Sequence, residues 1–108
     1  MNFDLNETLA DMANAIKISL KDNWPEAKSI VNDFLTRRKV RLELIADMRF
    51  KGILDDASMN IYLEREKNLL EMELIAIAII SKSMAQKAAN AALDILKVAI
   101  NVVVKTIL

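Results

Sequence analysis

The sequence predicts an all-α protein, and three observations carry that prediction. Its 108 residues include one glycine, Gly52, and one proline, Pro25, which leaves little turn chemistry for a sheet. Hydrophobic residues make up 54% and charged residues 28%, and the apolar positions recur at three- and four-residue spacing. From Ile53 to Leu108 neither glycine nor proline interrupts the chain. At this length residues 1–108 form a single helical domain.

The first helix is expected at about residues 4–22. There Leu5, Leu9, Met12, Ala13, Ile16 and Leu20 make one apolar stripe on an otherwise polar helix. The stretch Asn23-Trp24-Pro25-Glu26 then reads as a new start, because proline is tolerated where the amide has no helical partner and an acid complements the positive helix end. A second helix, about 25–51, buries Ala27, Ile30, Val31, Phe34, Leu42, Ile45 and Met48. Gly52 follows as a C-cap, and Asp55 or Asp56 caps the third helix, about 55–82, so helices two and three form a long antiparallel hairpin.

Interleaved stripes in that hairpin predict partners whose numbers sum to roughly 107. Met48 then faces Met59, Ile45 faces Tyr62, and Arg41 faces Glu66, which lies on the apolar stripe of Met59, Leu63, Leu70, Leu74 and Ile77. A buried ion pair is therefore expected at Arg41 and Glu66, with Arg38 and Glu73 as the next pair, fixing register more than adding stability.

Around Ser81-Lys82-Ser83 nothing forces a break, so the third helix is expected to continue, with a bend, to residue 108. A helix from Asp56 to Leu108 would be about 80 Å long. The alternative is a break there and a closed four-helix bundle, in which Leu5, Leu9, Ile16, Ile30, Phe34, Ile45, Leu70 and Ile77 share a core with Ile95, Val98 and Val102. In the last stretch, Ala85 to Leu108, sixteen of twenty-four residues are apolar. Its polar stripe of Lys87, Asn90, Asp94, Lys97, Asn101 and Lys105 spans an arc of roughly 80°. At ~25 cal/mol per Å² of buried apolar surface, such a helix must be covered from several sides. The expectation is that sister copies cover it, through an oligomer interface at Ala88, Ala92, Ile95, Leu96, Ala99, Val102 and Val103.

Much chemistry is excluded by the letters available. With no histidine and no cysteine, disulfides, thiolate metal sites and histidine bases cannot be built. The carboxylates Glu43, Asp47, Glu64, Glu66, Glu71 and Glu73 invite a bridged-metal reading, but the ferritin-like pattern needs Glu-x-x-His. Ser19, Ser29, Ser58, Ser81 and Ser83 lack a base, and Met12, Met48, Met59, Met72 and Met84 read as gap-fillers between helices. No enzyme activity, metal or cofactor is expected.

Formal charge is zero, but it is sorted along the chain: −2 over residues 1–23, +3 over 24–51, −4 over 52–73 and +3 over 74–108. Adjacent blocks attract when the chain folds back. Arg37, Arg38, Lys39 and Arg41 spread around their helix instead of lining one face, and the neutral domain argues against nucleic acid, so a basic-segment binder of nucleic acid or acidic lipid stands as the last alternative. The first 21 residues, carrying Asp4, Glu7 and Asp11, do not read as a signal peptide, and a cytoplasmic location is expected. The rival reading is membrane association, because residues 88–108 match the ~20-residue length of a spanning helix, with Asp94, Lys97 and Lys105 then facing a pore or bundle interior.

Trp24-Pro25-Glu26-Ala27-Lys28, the Gly52-Ile53-Leu54 turn and Ala91-Ala92-Leu93-Asp94 together resemble small, uncharacterised all-helical bacterial proteins. That resemblance implies a helical fold and brings no activity with it. The function expected is thus a self-associating structural or protein–protein interaction module, a helical bundle or coiled coil whose partner is itself or another helical protein.

Overall fold

A computed structural model describes residues 3–107 and shows an all-α chain of four helices: α1 (Leu5–Leu20), α2 (Trp24–Phe50), α3 (Asp56–Ile75) and α4 (Lys82–Ile107). Asp4 caps α1, its carboxylate accepting from the Glu7 amide at 3.1 Å. Between α1 and α2 the chain passes through a single 3₁₀ turn, Lys21–Asn23. Lys21 makes the corner with φ 51° and ψ −121°, a left-handed conformation that glycine would adopt more easily. Pro25 sits in the first turn of α2, as its missing amide requires.

Gly52 ends α2 as expected. Its φ is +75°, its amide donates to the Arg49 carbonyl at 3.2 Å, and the Ile53 amide donates to Met48 at 2.9 Å. This is the Schellman pattern, in which a left-handed residue lets the chain satisfy the last helical carbonyls. Asp55 then caps α3, accepting from the Ser58 amide at 2.7 Å. The turn between these caps produces the long α2–α3 hairpin.

The third helix does not continue through Ser81, which corrects the expectation of a single long helix. α3 ends at Ile75, two successive turns follow (Ile77 amide to Leu74 carbonyl, 3.1 Å; Ile80 amide to Ile77 carbonyl, 2.9 Å), and α4 starts at Lys82. The Ser81 hydroxyl accepts from the Met84 amide at 3.1 Å, the bond of an N-cap. Two causes act together. Ile75, Ile77, Ile79 and Ile80 are β-branched and weak helix formers, and turning the chain buries both Leu74 and Ile80.

The four helices close in chain order, each antiparallel to the next. Along α1 and α2, Asn6, Leu9 and Ala13 line a groove with Lys39, Thr36 and Asn32. Between α3 and α4, Asn60, Glu64 and Lys67 line another with Lys97, Asp94 and Asn90. α4 returns beside α1: Asn23 meets the Met84 sulfur at 3.3 Å at one end, and Leu5 and Val103 line one cleft at the other. The bundle measures 43 × 23 × 20 Å.

This closure also corrects the premise that α4 needs sister copies for cover. Ala85, Ala88, Ala89, Ala92, Leu96 and Ile100 are fully buried by the chain's own helices, the alanines permitting close approach. The four-helix core includes Leu5, Ile16, Phe34, Ile45 and Leu70, with Leu9 and Ile77 packed at its edge. Val98 and Val102, expected in that core, are exposed instead. They flank the polar stripe on the α1 side, about 140–180° around the helix from the Leu96–Ile100 centre. Leu108, the last residue of the expected interface tail, lies outside the described residues.

Candidate functional site

The groups with the most specific geometry lie between α2 and α3. Glu66 on α3 is 3% exposed and takes a two-pronged contact from Arg38 on α2, Nε to Oε1 at 2.8 Å and an Nη to Oε2 at 2.5 Å. Fork-to-fork pairing satisfies both carboxylate oxygens, which makes burial of the charge tolerable. Donating to the Glu66 carboxylate raises the Arg38 guanidinium above its ordinary value, so Arg38 stays charged. The preceding residue, Arg37, bridges Glu73 (2.7 and 2.9 Å) and Asp33 (2.7 Å) at the surface. Hydrogen bonding to Glu73, then to Asp33, raises Arg37 as well.

The expected residues are thus brought together with a change of partner. Glu66 is buried and paired, but by Arg38, and Glu73 is paired by Arg37. Arg41, expected on Glu66, lies over the Tyr62 ring with its guanidinium carbon 5.5 Å from the centroid, while Arg65 lies 5.4 Å from the same ring. Both contacts fall within cation–π range. The ion-pair numbers sum to 104 and 110, bracketing the expected 107, because long arginine side chains reach one turn in either direction.

Of the residues expected at an oligomer interface, Ala88, Ala92 and Leu96 are fully buried and Val103 nearly so, which removes them from any partner's reach. Ile95 and Ala99 are half-buried and Val102 is exposed. With Val98 the first two border a shallow groove shared with Thr8, Asp11 and Asp94.

The basic cluster of α2 presents little free charge. Arg37 and Arg38 are ion-paired, Arg41 is stacked, and Lys39 lines a cleft with Asp4, Glu43 and Asp47. Phe3, edge-on to Phe50 at 5.4 Å, also lines that open cleft of about 660 Å³. Its acids, among the described residues, form no group able to hold a metal ion. Two of the serines serve the backbone: Ser19 donates to the Ala15 carbonyl at 2.9 Å and Ser81 caps α4. Among the described residues no helix, α4 included, is long and apolar enough to cross a membrane.

Sequence reasoning missed the outward face of α3. Ile61, Leu69, Met72 and Ile75 are exposed on a helix whose opposite face, Met59, Leu63, Glu66, Leu70 and Leu74, is buried. Two opposed apolar stripes cancel in a search for one amphipathic face, although the spacing was available in the letters. Comparison with protein-family models, curated proteins and solved structures finds no significant match.

Proposed function

We propose that this chain is a non-enzymatic helical module that works in the cytoplasm by contact between helices, first with further copies of itself and alternatively with another helical protein. The observation that supports this reading is the outward apolar face of α3. On a helix already anchored through its core stripe, isoleucine, leucine and methionine gathered on one solvent-facing side form a contiguous patch, unlike the singly scattered apolar residues of an ordinary surface.

Static light scattering on the purified chain at micromolar concentration tests the proposal. A mass above that of one chain is expected. A monomer throughout, with no helical protein retained after cross-linking in cells, would refute it.

A further inference from the structure

Ile61, Arg65, Asn68, Met72 and Ile75 are separated by four, three, four and three residues, the alternation of a heptad seam. Ile79 follows four residues later in the turn after α3. The first four positions each fall two residues after a core position (Met59, Leu63, Glu66 and Leu70), about 200° around the helix, so the seam points directly away from the bundle. Ile61 is 56% exposed, Met72 67%, Leu69 41%, Ile75 39% and Ile79 55%. Together they present on the order of 500 Å² of apolar surface, within the range where a monomer's largest patch tends to be functional.

Charge identifies the occupant. Glu64 is already paired with Lys67 at 2.7 Å. Arg65 has only the Tyr62 ring, and among the described residues neither Arg65 nor Glu71 has an ion-pair partner. Six residues apart, these two project from different sides of α3 and cannot meet within one helix. A parallel second copy would set Arg65 against its own equivalent. An antiparallel copy places Arg65 within a turn of Glu71 of the second copy, twice by symmetry.

We infer that α3 is a homodimerisation helix, its outer Ile61–Arg65–Asn68–Met72–Ile75 seam packing antiparallel against the same seam of a second copy, with reciprocal Arg65–Glu71 pairing. This rests on the self-association reading and gives it a surface. The apolar seam and its polar flanks fit a standard interface of ~800 Å² per partner, of which somewhat over half is apolar. Asn68 and Arg65 lie mid-seam, where a polar residue fixes register at some loss of affinity. A second apolar site, exposed Val98 with half-buried Ile95 beside α1, fits a second copy poorly, because Asp11 and Asp94 border it and a self-contact there would crowd like charges.

Sedimentation velocity on the intact chain tests this with three variants. The unmodified chain should dimerise at micromolar concentration. Ile61→Glu/Met72→Glu should weaken association by roughly 100-fold or more while keeping the far-ultraviolet dichroism and melting temperature of a folded monomer. Arg65→Glu should weaken it less, and Arg65→Glu/Glu71→Arg should restore it, which a parallel pairing would not do. A dimer that survives Ile61→Glu/Met72→Glu overturns the seam and leaves self-association standing. An unmodified chain that stays monomeric overturns both. Flotation with phosphatidylcholine–phosphatidylglycerol vesicles adds the remaining outcome: a monomer whose vesicle binding is lost in Ile61→Glu/Met72→Glu would make the seam a lipid-facing surface and overturn the dimer.

Discussion

Replacing Arg38 with methionine keeps much of the apolar stem and removes the guanidinium that satisfies Glu66. Glu66 is 3% exposed, and both of its carboxylate oxygens would lose their hydrogen-bond donors. Stranding one member of a buried pair costs roughly 3–5 kcal/mol. The Arg38 side chain is 29% exposed, so water can partly replace it, and the lower end, about 3 kcal/mol, is expected. For a chain of this size that lowers the melting temperature by roughly 10–15 °C. Adding Glu66→Leu removes the stranded charge and should bring the double variant back to within about 1 kcal/mol of the parent, because an apolar pair of similar volume replaces an ion pair at little net loss. Chemical denaturation followed by far-ultraviolet dichroism reads all three free energies, and the cycle isolates the coupling. A deficit below about 1 kcal/mol, or a double variant at least as damaged as the single, would refute the reasoning.

Gly52→Ala should destabilise by about 1 kcal/mol through its positive φ alone, since no atom lies within 4 Å of the added carbon, whereas Lys21→Gly should stabilise by a comparable amount; thermal melts of both check the opposite signs. Asp55 is held below its ordinary value, first by the Ser58 amide, so its contribution is complete above the unfolded value and lost as pH falls through the lower folded one. Asp55→Asn keeps a cap and should remove this acid-side dependence, while Asp55→Ala should lower the melting temperature at neutral pH; equal acid sensitivity in Asp55→Asn and the parent would count against the assignment. Truncation after Ser81 exposes the apolar faces of α1 and α3 that α4 covers, and should abolish cooperative unfolding; retained cooperative helicity would show that α4 is dispensable to the core.

The fold was legible where backbone chemistry is written in single letters. Pro25 marked the start of α2, Gly52 its end and Asp55 the start of α3, each through a local conformational or hydrogen-bonding demand. The end of α3 was harder to read, because it depends on a run of β-branched residues, one serine cap and the burial of Leu74 and Ile80, with no glycine or proline involved. In the hairpin, the sum of 107 described the register, but side chains as long as arginine choose partners one turn up or down, and Arg38 reached Glu66 before Arg41 could. The polar stripe of α4 was identified from its spacing, with Lys87, Asn90, Asp94 and Lys105 exposed. What covers the other side is a question of topology. α1 and α3 reach it only because the chain turns at Ile75–Ser81. The outer face of α3 escaped notice because an apolar residue reads as core until the opposite face is seen to be buried already.

Sedimentation equilibrium of the intact chain over a micromolar concentration range tests self-association most directly. One chain is 12.2 kDa. A mass rising toward twice that value with concentration is expected, and a constant single-chain mass across the range would contradict it.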